Sequence, residues 1–218
     1  MASTNPSRLR RPDGLLLDAM GTLIGLREPV GVTYAELAGR HGIAVTPAAV
    51  QAGFARAWQT APPLAFPALA DTDLRRAELT WWGELIRLSL DPSGASSPPV
   101  ELVEALFQHY AQPEAWRVFA DVPAMLERWH RRGLALAVVS NFDTRLPELL
   151  AQLGLTRWLQ VVVVSSAAGA AKPDPALFHL ALDQLGLPGE AVWHVGDSPE
   201  DLNGAAAAGL PCVLVQRP

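Results

Sequence analysis

Five short, nearly unbroken apolar runs constrain this chain more than any other feature: Leu15 to Ala19, Leu134 to Ser140, Val161 to Ser165, Ala191 to Val195 and Cys212 to Val215. Such runs are expected where both faces of a parallel sheet are covered, because no residue in them then meets water. Helical patterns fall between the last four, at about Arg145 to Leu153, Pro175 to Leu185 and Pro199 to Ala208, with Gly154, Gly186 and Gly209 as stops. Strand and helix in alternation imply right-handed crossovers and a doubly wound α/β sheet. One stretch breaks the rhythm. Residues 27–115 offer no strand but four amphipathic helical patterns, Val30 to His41, Pro47 to Thr60, Asp71 to Leu90 and Pro99 to Ala111. The expected organisation is an α/β core of residues 1–26 and 116–218, with an all-helical insertion of residues 27–115 between its first two strands.

Composition narrows the function classes. Half of the 218 residues are apolar and 18% charged, enough for a sizeable core and too few charges for a disordered chain. A net charge of -5 with scattered arginines weighs against a nucleic-acid partner. The apolar runs are of strand length, so no membrane partner is expected. The polar start, Met1 to Asp13, does not read as a secretory signal, which leaves the cytoplasm as the expected compartment. Cys212 is the single cysteine; it excludes an intramolecular disulfide and reads as strand packing.

In an open α/β sheet, ligands bind beyond the carboxyl ends of the strands. Here those ends carry Asp18 and Thr22, then Ser140-Asn141-Phe142-Asp143, then Lys172-Pro173 after a short loop, then Gly196-Asp197 through Asp201. Lys172 is the only lysine in a chain whose other 16 basic side chains are arginine. A compact ammonium fits between two close anions where a planar guanidinium does not. Singly, Asp18 and Ser140 would serve as turn residues and Asp197 as a helix cap; four such groups at one sheet edge point to anion chemistry. A carboxylate can act as a nucleophile that divides a hard displacement into two easier ones. The Ser140 hydroxyl, the N–H groups after it and Lys172 can hold a phosphoryl group. Asp18 and Asp197 repel each other, which favours a hard cation such as Mg²⁺ between them.

These segments resemble the haloacid dehalogenase-like hydrolase superfamily. The resemblance rests on Asp18 to Thr22, Ser140, Lys172-Pro173 and Gly196 to Asp201, in the family's order and spacing. The wording Gly-Thr-Leu, Ser-Asn-Phe-Asp and Lys-Pro-Asp-Pro-x-x-Phe resembles subfamily IA, and within it the branch of haloacid dehalogenase-like hydrolase domain-containing protein 3. The resemblance implies a Rossmann-like core with an inserted type 1 helical cap and a small phosphorylated or otherwise anionic substrate. It also implies Asp18 as nucleophile, with Thr22, Ser140, the Asn141 backbone and Lys172 at the phosphoryl group. Metal ligation would fall to Asp18, the Met20 carbonyl and Asp197, with Asp201 nearby or through water. One position departs from the family's phosphatases, which carry a second Asp two residues after the nucleophile as general acid. Met20 stands there and has no proton to give, a change that costs ~10²–10⁴ in rate for an alkyl leaving group. Three readings stay open: a Mg²⁺-dependent phosphatase that acts on leaving groups needing no proton, such as acyl or aryl phosphates, or that uses an acid from the cap; a 2-haloacid dehalogenase; and a non-catalytic binder of a phosphorylated ligand or a partner. The dehalogenases of the superfamily lack the acidic motif that Asp197 and Asp201 form here. Phosphonate cleavage through a Schiff base is excluded, since it needs a lysine in the cap.

Other residues read more plainly. His41, His109, His130 and His179 are expected to pack or face solvent, and His194 to be buried and hydrogen-bonded. Asp143 and Arg145 are placed to touch a substrate or to cap a helix. Arg27 is a candidate for a substrate carboxylate or second phosphate, and Phe66 for a cap tip or a packing role. Trp58, Trp81 and Trp82, at helical spacing, are expected in the core of the cap rather than around a ligand.

Overall fold

The chain starts its sheet in the middle. β1 (Gly14–Leu17) leads through β2 (Ile24–Leu26) into four helices, α1 (Val30–Arg40), α2 (Pro47–Thr60), α3 (Asp71–Leu90) and α4 (Val100–His109). β3 (Trp116–Val118) and α5 (Val122–Arg131) bring it back to β4 (Ala135–Ser140) and α6 (Leu146–Gln152). Then come β5 (Val161–Val164), α7 (Ser165–Ala168), α8 (Ala176–Leu185), β6 (Val192–Gly196), α9 (Pro199–Ala207) and β7 (Cys212–Leu214). The computed structural model describes residues 11–91, 93 and 95–217, so the expectations for residues 1–10 lie outside the described residues.

The five strands expected from the apolar runs form one sheet in the order β5-β4-β1-β6-β7, every pair parallel. Alternation along β1 decides what packs where. Leu16 belongs to one face, with Ala137 and Val139 of β4 and Leu177, Phe178 and Leu182 of α8. Leu15 and Leu17 belong to the other, with Leu136 and Val138 of β4, Leu126 of α5 and Leu149 of α6. Full burial of one such side chain contributes roughly 1.5–3 kcal/mol. With both faces covered, β1 has no polar residue until Asp18, where it leaves the sheet.

Two features were not expected. β2 and β3 form a small antiparallel pair at the root of the helical insertion, with Ile24 opposite Val118 and Leu26 opposite Trp116. Three residues per strand are too few to show alternation. The helix α5 buries Val122 and Leu126, and its apolar spacing at positions 122, 125, 126 and 129 was available in the sequence.

The four helices between β2 and β3 share an apolar centre that includes Val30, Tyr34, Val50, Ile86 and Leu106. Their contact with the sheet domain is polar and buried. Glu78 of α3, fully buried, accepts from the Thr144 N–H (2.9 Å), the Thr144 hydroxyl (2.6 Å) and the Ser166 hydroxyl (2.6 Å). The Ser165 hydroxyl donates to the Leu64 carbonyl at 2.7 Å. The Phe66 N–H donates to the Ser166 carbonyl at 3.1 Å, so the loop carrying Phe66 is tied to the sheet domain by its backbone. Among the described residues, no helix is long and apolar enough to cross a membrane.

Candidate active site

All the residues singled out at the strand ends meet on one edge of the sheet. Asp18, directly after β1, is buried, and its Oδ1 accepts from the Ser140 hydroxyl at 3.1 Å and from Lys172 Nζ at 2.5 Å. Both bonds fall on Oδ1, which leaves Oδ2 as the oxygen free to act. Lys172 Nζ also donates to Asp201 Oδ1 at 2.6 Å. The lone lysine therefore sits between two carboxylates, as its compact charge suggested. Burial works against the ammonium, but Asp18 and Asp201 together outweigh it and push its pKa up. Asn141 fixes this lysine from behind: its side-chain amide donates to the Lys172 carbonyl at 2.9 Å and accepts from the Lys172 N–H at 2.7 Å.

Asp201 is a fully engaged anchor. Its Oδ1 meets Lys172 and, at 2.7 Å, His194 Nε2; its Oδ2 accepts from the Asp197 N–H (3.2 Å), the Ser198 N–H (3.1 Å) and the Ser198 hydroxyl (2.7 Å). The Ser198 hydroxyl accepts in turn from the Asp201 N–H, a capping box that starts α9. Although burial raises it, the bonds from His194, Lys172 and Ser198 hold the Asp201 carboxyl well below the usual carboxylate range. His194 is buried, as expected, with the Phe178 ring edge-on at 4.9 Å.

Asp197 behaves differently. It is exposed, it accepts from the Thr22 hydroxyl at 3.2 Å, and its pKa is raised by partial burial and by the charge of Asp18. Thr22, expected at the phosphoryl group, is thus held beside Asp197. Oxygen atoms of Asp18, Asp197 and Asp201 converge within 4.8 Å of one another. Gly21, at φ +84°, lets the backbone pass so close that a Cβ there would lie 2.2 Å from Asp197 Oδ2. A hard-oxygen donor set, a carboxylate whose negative charge is opposed by its neighbour, and a glycine that leaves room beside it fit a divalent cation such as Mg²⁺.

Above these groups lies a cavity of about 450 Å³ between the sheet edge and the helical insertion. Met20, 41% exposed, lines it together with Asp18, Ser140, Asn141, Lys172, Asp197 and Asp201. Two expectations need correction. Trp58 and Trp82 do not close the interior of the insertion; both line this cavity, and Trp58 is 48% exposed. Helical spacing alone does not distinguish a packed face from a lining face. Arg27 is exposed and lines a separate groove with Glu28, Glu36 and Arg40, away from Asp18. Arg145 does line the cavity, but its guanidinium is bound on both sides of Asp143 (2.8 and 2.6 Å) and to the Phe107 carbonyl (2.6 Å). Asp143 also accepts from the Trp82 indole N–H at 2.7 Å.

The profile of the haloacid dehalogenase-like hydrolases matches residues 12–209. The chain is 36% identical over 207 residues to haloacid dehalogenase-like hydrolase domain-containing protein 3 of Bos taurus, covering 94% of this chain and 82% of that one. It is 36% identical over 129 residues to phosphoserine phosphatase of Thermus thermophilus, covering 58% of this chain and 51% of that one. The fold is that of a haloacid dehalogenase-like phosphatase from Thermococcus onnurineus, with a TM-score of 0.63, 22% identity, and coverage of 94% of this chain and 86% of that one.

Proposed function

From the premise that the chain belongs to the haloacid dehalogenase-like hydrolases, we propose that it is a Mg²⁺-dependent phosphatase that carries the phosphoryl group on Asp18 and acts on leaving groups that need no proton. The observation that supports this most is a single one. A buried carboxylate, held on one oxygen by Ser140 and Lys172, stands at the floor of a cavity beside a second, freer carboxylate. In the first step Asp18 Oδ2 forms a bond to phosphorus, and the bond from phosphorus to the leaving oxygen breaks with its electron pair on that oxygen. In the second, water attacks phosphorus, the bond to Asp18 breaks with its electron pair on the carboxylate oxygen, and inorganic phosphate departs carrying the oxygen and both protons of the water. Lys172, the Ser140 hydroxyl and the Asn141 N–H offset the charge on the phosphoryl oxygens.

Mg²⁺ held by Asp18, Asp197 and the Met20 carbonyl would add positive charge at the same oxygens. Asp201, with both oxygens engaged, stands behind them as the group that orients Lys172 and the start of α9. Residues 27–115 act in this reading as a cap that keeps water from the reacting carboxylate, while residues 11–26 and 116–217 form the core. The substrate is a small phosphorylated molecule. Asp197 weighs against the 2-haloacid dehalogenase reading, which has no use for a second carboxylate facing the nucleophile.

Phosphate release from acetyl phosphate tests the proposal. Release is expected to require added Mg²⁺, to fall to background with EDTA, and to return when Mg²⁺ is resupplied. Release that persists in EDTA, or metal-independent halide release from 2-haloacids without any phosphatase activity, would overturn it.

A further inference from the structure

We propose that the substrate of this site is an aryl phosphate monoester with a neutral aromatic body that lies against Trp58 and Trp82; the inference rests on the phosphatase reading above. Two observations that do not depend on each other lead to the same chemical class. The first is the wall of the cavity. Beyond the carboxylates and Lys172, it is built from side chains such as Phe54, Trp58, Trp82, Ile86, Leu106 and Trp116. Two of the indole N–H groups are already committed: that of Trp82 goes to Asp143 and that of Trp116 to the Tyr110 carbonyl at 3.0 Å. Lys172 and Arg145 are the cations among the described lining residues. The first belongs to the phosphoryl end, and the second is spent on Asp143 and Phe107. A substrate carboxylate or second phosphate would find no uncommitted cation on this wall, and burying its charge there is costly.

What the wall offers is aromatic surface. Phe54 stacks on Trp58 at 5.8 Å with an interplanar angle of 20°, and Trp82 lies 6.3 Å from Trp58. Trp58 keeps nearly half its surface exposed, and a flat apolar ligand would cover it.

The second observation is Met20. With no acid two residues after the nucleophile, the bond from phosphorus to the leaving oxygen breaks well only if the electron pair is stable there without a proton. A phenol ionises near pH 10, whereas an alkyl alcohol is closer to water, at about 15.7. Departure as a phenolate therefore suits this site and departure as an alkoxide does not. Small acyl phosphates meet the leaving-group demand but leave the aromatic wall empty. Aryl phosphates meet both demands.

The test compares two non-hydrolysable probes, 1-naphthylphosphonate and methylphosphonate, binding to the full chain in the presence of Mg²⁺. Wild type, Trp58→Ala and Trp58→Phe are used, beside phosphate release from 1-naphthyl phosphate and acetyl phosphate. The aryl probe is expected to bind about tenfold or more tightly than the methyl probe in wild type. Trp58→Ala is expected to shrink that gap to about threefold or less, and Trp58→Phe to keep most of it. Equal affinities in wild type, or a gap that survives Trp58→Ala, would overturn the proposal. The wild-type comparison decides even if a variant folds poorly. Phosphate release from acetyl phosphate without an aryl preference overturns this inference alone, whereas an aryl preference with no phosphate release from either compound overturns the phosphatase reading and with it the assignment of a substrate.

Discussion

Asp18→Asn is expected to lower phosphate release by about 10⁴-fold or more, the scale on which loss of a covalent nucleophile acts. The substitution keeps the shape of the side chain and an oxygen that can still accept from Ser140 and Lys172. Packing around β1 is unaffected, because the groups that bury its strand are leucines on either face. What is lost is the charged oxygen that would bond to phosphorus. The measurement is the steady-state rate with acetyl phosphate for both proteins, with a thermal unfolding curve to show that the variant is folded. A variant that retains more than a small fraction of the wild-type rate would remove Asp18 from the role of nucleophile.

The second large effect is a gain. Met20→Asp restores a carboxyl group two residues after the nucleophile, on a side chain exposed enough to be exchanged without loss of core packing. General acid catalysis of departure is worth ~10²–10⁴. The ratio of turnover on an alkyl phosphate to turnover on acetyl phosphate is expected to rise by about that factor, since only the alkyl alcohol needs a proton. The neighbouring charges of Asp18 and Asp197 would favour the protonated form of the new carboxyl group, just as partial burial and the charge of Asp18 raise the pKa of Asp197. An unchanged ratio would mean that Met20 is not what separates these two substrate classes.

Much of this architecture was legible before the fold was known, for identifiable reasons. Strands buried on both faces carry unbroken apolar runs, so the five core strands stood out, and the residues ending them fell at the sheet edge by topology alone. The helices of the insertion were equally clear; Pro47–Thr60 and Asp71–Leu90 have the bounds their sequence suggested. Lys172 was marked by its singularity, and the two carboxylates it joins explain it. What could not be read were relations between distant segments. Trp82 meets Asp143 across 61 residues, and Glu78 meets Thr144 across 66. No local pattern records either bond. The aromatic residues of α2 and α3 carried the right period for a buried face, and only the cavity beside them shows which way they look. Asn141 was expected to act through its backbone; that its side chain holds the backbone of Lys172 follows from two loops meeting, not from either loop alone.

The most direct test of the central claim is to stop the reaction with acid during turnover of acetyl phosphate and to find the phosphoryl group by mass spectrometry of the digested protein. Phosphorylation confined to the peptide that contains Asp18, absent from Asp18→Asn and from protein treated with EDTA, is the result expected. Steady phosphate release with no phosphorylated peptide, or with the phosphoryl group on another residue, would contradict it.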